Sequence, residues 1–315
     1  MFTTLPALKT TDAFDAWRHD RGNWEDLARR IARAAGFSGR DLTVFGDSTN
    51  LVLDVDGAAI LKIFPPLYYP QFLSERAALH RLAGQLSVAI PRIIAADEQH
   101  GWSWLVMTKL DGVVGSAIWP QLSDPERALI LHDVGRVMAE VHALPPDALS
   151  QIGTPWPAFI RAQVNGCVAL HRAQGLAAPL LDDLATLAPQ AVTLIPLQEP
   201  PVILTSDWIP QNFLLSAQSG DWRLCALIDF GDVRTGWWEY DLLAPSALMC
   251  DGNPALVQSL FDGYGTAAAD NAMRRRLLIL MALHHASDFR ILTIPDWESR
   301  IASLYDLEQV IWPGA

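Results

Sequence analysis

The chain has 315 residues, of which half are hydrophobic and 18% charged, with a formal net charge of −12. That composition is globular, and length of this order supports either one large domain or two lobes with separate cores. The acidic balance argues against nucleic acid as a partner, since such a protein normally carries a basic face.

The N-terminal stretch "MFTTLPALKTTDAFDAW" has no basic segment followed by an apolar core, so no signal peptide is expected. "LLILMAL" at 277–283, the longest apolar run, is far too short for a membrane span. The three cysteines, Cys167, Cys225 and Cys250, are odd in number and none lies in a CxxC. They suit buried small hydrophobes in a reducing compartment. The expectation is a cytoplasmic protein with neither a membrane nor a nucleic-acid partner.

Residues 12–36 have helical spacing of Leu27, Ile31 and Ala34, with Asn23 as a candidate N-cap and Asp26 three residues on. A β-rich block follows. "LTVFG" leads into the turn "GDSTN", and "LVLDV" and "AAILKIF" form a hairpin across Asp56-Gly57. "PQFLSERAALHRLAG" reads as a helix with Phe72, Ala78 or Leu79, and Leu82 on its apolar stripe. "IPRIIAADEQHGWSWLVMTKL" gives two more strands around His100-Gly101.

Beyond "KLDGVVG" the pattern turns helical. "DPERALILHDVGRVMAEVHAL" starts with Asp124 as N-cap and Pro125 at the first helical position. Further helices are expected in "PAFIRAQVNGCVALHRAQG", "APLLDDLATLA", "PALVQSLFDGYG" and "DNAMRRRLLILMALHHASDFRIL", the last carrying His284 and His285. The predicted class is therefore α+β: a small β-rich lobe over residues 1–107 and a larger helical lobe over 108–315.

One β island interrupts the helical half. "FLLS" and "WRLCALI" read as a hairpin around "AQSGD", with Asn212 just before its first strand and Asp229 just after its second. Antiparallel pairing returns those two positions side by side. Two oxygen-bearing side chains there suit a hard cation such as Mg²⁺. Asp207 precedes Asn212 by five residues, in the loop "TSDWIPQN". Taken singly, Asp207 and Asn212 fit ordinary turn roles; their joint spacing favours a site.

"TSDWIPQN" resembles the catalytic loop of the aminoglycoside phosphotransferase and choline-kinase-like group, relatives of protein kinases, and "LIDFGD" resembles its metal-binding segment. "WWEYDLL" supplies Asp241 where that group has a buried Asp beside the catalytic loop. The resemblance implies a bilobal protein-kinase-like fold and an ATP- and Mg²⁺-dependent phosphotransferase acting on a hydroxyl of a small molecule: an aminoglycoside-like antibiotic, an amino alcohol or a sugar metabolite. It implies Asp207 as the base, Asn212 and Asp229 as metal ligands, and Lys62 paired with Glu75 and aimed at the ATP phosphates. It also implies that Ser48, Thr49 and Asn50 cover those phosphates and that "VMTKL", with Met107 and Lys109, meets the adenine.

Two departures stand out. The group's His-Gly before the catalytic Asp is Thr205-Ser206 here, and its Asp-Pro after the glycine is Trp237-Trp238 after Gly236. They motivate an alternative, a nucleotide-binding pseudokinase acting as a regulatory or interaction module. An aminoglycoside acceptor would call for several carboxylates, for which Glu239, Asp251, Asp262 and Asp288 are the candidates.

Overall fold

The computed structural model describes residues 5–46, 48–218, 220–267 and 269–313. Asp47 of the expected phosphate turn and Ser219 of the expected hairpin turn lie outside them. The chain divides into two compact units. One comprises Met1–Gln85, Ala89–Asp111 and Leu227–Val233; the other comprises Leu86–Val88, Gly112–Ala226 and Arg234–Ala315.

In the first unit the expected single helix over 12–36 is two, α1 (Thr11–His19) and α2 (Arg21–Ala34). Asp20 breaks them: its extended backbone ends α1, and its carboxylate caps α2 by accepting from the Gly22 N–H at 2.9 Å. Asn23 is therefore not the cap; its amide donates to the Trp17 carbonyl at 3.0 Å.

Strands β1 (Leu42–Phe45), β2 (Leu51–Val55), β3 (Ala59–Phe64), β4 (Ile93–Gln99) and β5 (Trp102–Thr108) form one antiparallel sheet in the order β1-β2-β3-β5-β4. Gln99 pairs with Trp102, so His100 and Gly101 make a two-residue turn with φ of 53° and 81°. Both values lie in the left-handed region that such a turn requires. The helices α1 and α2 bring Trp17, Trp24, Leu27 and Ile31 into one buried cluster with Leu53, Ile63, Trp102 and Trp104 of the sheet. Trp17 and Trp102 lie with ring centres 4.5 Å apart. Much of the tryptophan content of this half is therefore core. Helix α3 (Tyr69–Leu82) buries Phe72, Ala78, Leu79 and Leu82 as its spacing predicts, and it buries Glu75 as well.

The second unit is mainly helical. It contains β6 (Val113–Val114), α4 (Gly115–Ile118), α5 (Asp124–His142), α6 (Trp156–Ala173), α7 (Ala178–Leu187), α8 (Ala191–Leu194), β7 (Val202–Leu204), β8 (Phe213–Gln218), β9 (Asp221–Leu227), β10 (Arg234–Gly236), α9 (Leu243–Leu248), α10 (Pro254–Tyr264), α11 (Asn271–Ala282) and α12 (Leu307–Ile311). Helix α5 is capped one residue earlier than its sequence suggests. Ser123 is the N-cap, closed by a reciprocal box with Glu126 whose carboxylate accepts from the Ser123 N–H at 2.8 Å.

Helices α5 and α10 pack closely because each offers a glycine at the contact. A Cβ on Gly135 would sit 2.2 Å from the Leu260 carbonyl oxygen, and one on Gly263 would sit 2.1 Å from that of His132. The expected hairpin is present as β8 and β9, and β6 pairs with β8 to extend it. A second small sheet, β7 with β10, was not signalled by periodicity, since three residues are too few to show a period. Helix α11 stops at Ala282, so His284 and His285 lie beyond its end and not on an apolar helical face. Among the described residues no helix is long and apolar enough to cross a membrane. Among the described residues no cysteine forms a disulfide, and Cys167 and Cys250 are buried.

Candidate active site

Each unit holds one group of the sequence-predicted residues. In the first, β3 and α3 face each other and bring Lys62 and Glu75 together at 2.7 Å, with side chains 4% and 2% exposed. The segment 227–233 adds Asp229, whose Oδ1 accepts from the same ammonium at 2.8 Å. Asp229 has φ of 62°, an uncommon backbone state for a non-glycine residue, and its side chain is 44% exposed.

Two carboxylates thus share one cation. Burial alone would lower the proton affinity of the Lys62 amine, but Asp229 and Glu75 outweigh it and hold the amine above its ordinary range. Burial pushes Glu75 up to about 7, opposed by Lys62 and reinforced by the nearby Asp229 charge. Burial also works against ionisation of Asp229, yet the adjoining Lys62 ammonium prevails and holds that carboxyl below its usual value. Asp229 is accordingly the ionised, outward-facing oxygen donor of the group.

The turn between β1 and β2 is held from outside the strands. The Arg18 guanidinium of α1 donates to the Ser48 carbonyl and, at 3.4 Å, to the Asn50 carbonyl. Ser48 Oγ donates to the Asn50 carbonyl at 2.8 Å, and the buried Asn50 amide donates to Gln71 Oε1 at 3.0 Å. Gln71 in turn reaches Asp232 Oδ1 at 3.4 Å. Ser48 and Asn50 therefore shape this turn through their side chains, while Thr49 stands exposed. Met107 is buried in β5, paired with Ile60 and Ile93. The Lys109 ammonium is bound to Asp54 Oδ2 at 2.5 Å.

In the second unit Asn212 ends a short turn directly before β8, and its amide donates to Asp207 Oδ2 at 2.7 Å and to the Asp207 carbonyl at 3.1 Å. The loop carrying Asp207 hangs on the fully buried Asp241. Its carboxylate accepts from the Thr205 and Ser206 N–H groups, both at 2.9 Å, from Trp208 Nε1 at 2.8 Å and from His142 Nε2 at 3.2 Å. Ser206 carries φ of 67° at this point. His142 of α5 and the indole of Trp208 thus help fix Asp241, and with it the loop that carries Asp207.

His142, Arg18 and Gln71 were not recognisable in the sequence, because each acts through a partner tens of residues away. Among the described residues no cluster of three or more His, Cys, Asp or Glu side chains forms a metal cage.

Residues 41–278 match the sequence model of the phosphotransferase enzyme family. The chain belongs to this family. As a member it is a small-molecule kinase, a phosphotransferase with an alcohol group as acceptor. A search of curated proteins found no match. Among solved structures it is similar to the GDP complex of wild-type aminoglycoside 2'-phosphotransferase-IIIa, with TM-score 0.68 and 18% identity over 83% of this chain and 88% of that one. It is also similar to ADP-bound aminoglycoside phosphotransferase APH(2'')-Ib, with TM-score 0.57 and 16% identity over 90% and 97%. A third similar structure is APH(3'')-Id from Streptomyces rimosus ATCC10970, with TM-score 0.56 and 18% identity over 82% and 97%. At these identities the likeness is one of fold, and the protein-kinase-like α+β fold expected from the motifs is the one found.

Proposed function

We propose that this phosphotransferase transfers the γ-phosphoryl group of ATP to a hydroxyl of a small molecule in a Mg²⁺-dependent reaction in the cytoplasm. The observation that carries the reading is the buried Lys62 ammonium held between Glu75 at 2.7 Å and Asp229 at 2.8 Å. A lysine so deeply buried is tolerated only with compensation, and the double pairing fixes its direction as phosphate recognition requires.

In this reading Lys62 contacts the phosphates and Glu75 positions it. The turn at Ser48, Thr49 and Asn50 covers the phosphates, and the backbone around Met107 and Lys109 meets the adenine. Asp207 accepts the proton of the attacking hydroxyl, its carboxylate oriented by the Asn212 amide. The new acceptor O–P bond forms as the bond from the γ-phosphorus to the ADP oxygen breaks, and ADP departs.

Asn212 and Asp229 are the residues that would hold Mg²⁺. Both offer hard oxygen donors, and Mg²⁺ is commonly held by one or two protein carboxylates together with substrate phosphates, not by an all-protein cage. Bound there, the ion would neutralise phosphate charge.

The test is ADP release from Mg-ATP over a panel of hydroxylated amines, sugars, acids and antibiotics. Asp207→Ala is expected to lower kcat by about 10²–10⁴-fold, the usual scale for a positioned proton acceptor, with ATP affinity retained. ATP binding without acceptor-stimulated turnover across the panel would sink the proposal in favour of a pseudokinase.

A further inference from the structure

An acceptor rich in amines needs open carboxylates, and the four that the sequence offers are engaged elsewhere. Glu239 is fully buried and gripped by Arg276, Nη2 to Oε1 at 2.7 Å and Nε to Oε2 at 2.9 Å. Asp251 pairs with Arg127 at 3.1 Å and Asp288 with Arg290 at 2.6 Å. Asp262 accepts from Gln258 of its own helix at 2.6 Å. Asp241 is already bound by its four donor groups.

What surrounds the approach to Asp207 within the second unit is the opposite chemistry. Arg234 in β10 pairs with Leu204 in β7, the residue that leads into Thr205-Ser206-Asp207. Its guanidinium lies over the Phe159 ring at 4.4 Å and the Tyr240 ring at 5.9 Å. It has no carboxylate partner among the described residues, and its Nε is buried with no hydrogen bond. Trp156 stands against the same rings, 5.7 Å from Phe159 and 5.5 Å from Tyr240. It also fills the space over Gly236, where a Cβ would meet its ring at 2.4 Å. Trp156 Nε1 and Ser206 Oγ are likewise buried without a partner, and the two residues are 5% and 2% exposed.

His284 stacks on Tyr240 at 4.7 Å, and its Nδ1 accepts from the Ala286 N–H, which assigns the ring proton to Nε2. Burial, its neighbour His285 and the Arg234 charge keep it neutral. The cluster therefore offers N–H and O–H groups and one full positive charge, without a carboxylate to match it. Leaving a single buried donor unpaired costs about 1–3 kcal/mol. Several in one place indicate a polar partner that accepts from all of them.

Resting on the phosphotransfer reading above, we propose that the acceptor is a small hydroxylated anion. Its carboxylate or phosphate group is held by Arg234 and completed by the Trp156 and Ser206 donors, beside the loop that presents Asp207. The planar guanidinium matches either group through two parallel hydrogen bonds, which an amine cannot accept. One departure from the family pattern acquires a purpose. Ser206, at the place of Gly in the related group, adds a hydroxyl donor.

The experiment is calorimetric titration of the full chain without nucleotide, alongside ADP release with Mg-ATP. The probes are glycerate and gluconate as carboxylates, glycerol 3-phosphate and glucose 6-phosphate as phosphates, glycerol and glucose as neutral controls, and ethanolamine and kanamycin as cations. At least one anion is expected to bind about tenfold or more tightly than its neutral control, and which arm responds identifies the anionic group. Arg234→Gln should weaken that binding about tenfold or more and Arg234→Lys by less. Ser206→Ala, which removes only the hydroxyl, should weaken it about threefold to tenfold at unchanged melting temperature. Failure of every anion to bind overturns the inference, as does preference for ethanolamine or kanamycin. Unchanged affinity in both a folded Arg234→Gln and Ser206→Ala also overturns it. Anion binding without turnover would uphold the anion site at Arg234 while refuting the phosphotransfer reading and with it the role of the anion as acceptor.

Discussion

Two buried carboxylates, Glu75 in the first unit and Asp241 in the second, are solved in opposite ways. Glu75 is compensated by a full charge, Lys62, which it shares with Asp229, so two negative groups divide one positive one. Asp241 is compensated by two backbone N–H groups, an indole and an imidazole. The first arrangement leaves a charge that can respond to a ligand. The second saturates the carboxylate with short donors and fixes a loop. Under the proposed function, a site that meets phosphates and a loop that holds one geometry would call for these different devices.

Removing Asp241 should break the comparison most severely. Asp241→Ala strands donors that have no other buried acceptor, and loss of one member of such a network typically costs about 3–5 kcal/mol. The expected outcome is a large drop in the urea midpoint, together with loss of turnover as the 205–207 backbone is released. A variant within 1 kcal/mol of wild type, on the scale of an ordinary surface substitution, would show that the hub is not what holds the loop.

Lys62→Met should cost less stability, about 1–3 kcal/mol, although it too removes the centre of a buried cluster. The reason is the escape open to its partners. Asp229 is 44% exposed and can turn to water, and Glu75, already raised to about 7, can take up a proton. The sign follows: proton uptake relieves the orphaned Glu75, so the destabilisation should be smaller at pH 6 than at pH 8. Urea melts of both proteins at the two pH values check it, and a penalty that grows on acidification would contradict it. Phosphate contact should be lost at either pH, seen as weaker ATP binding.

The two clusters also differed in how far the sequence revealed them. Lys62, Glu75 and Asp229 lie within motif-like segments, and a charged residue inside an apolar strand or helix demands a partner even before the fold is known. Asp207 and Asn212 were legible through spacing. The bracing of Asp241 was not, because His142 comes from a helix whose apolar periodicity says nothing about one terminal imidazole. Arg18 was hidden for a related reason: a basic residue at a helix end reads as solvated until its carbonyl partners at Ser48 and Asn50 are placed. Helix limits failed where the cap was ambiguous, at Asp20 and Ser123, and where an apolar run outlasted its helix, at Ala282. The mostly apolar "LLILMALHH" continues the spacing while the backbone has already turned.

Acidification offers the finest contrast, since it acts on two neutral imidazoles beside the Arg234 charge. Burial, with help from the Arg234 charge, lowers His284 to about 3 and His285 to about 4. The unfolded chain, with ordinary imidazoles, binds protons near pH 6.5, and the folded one resists them until well below. Their contribution to stability is therefore complete above pH 6.5 and is lost as pH falls toward the folded values. Between pH 7 and pH 6 the pair should cost on the order of 1 kcal/mol, given about 1.4 kcal/mol per pH unit for one fully titrating group. In His284→Phe, which keeps the stack on Tyr240 but cannot titrate, about half of that slope should vanish. The comparison is made by urea denaturation at both pH values. An unchanged slope in His284→Phe would mean that the folded imidazole protonates freely, and that the positive charge of Arg234 does not extend to the rings beside it.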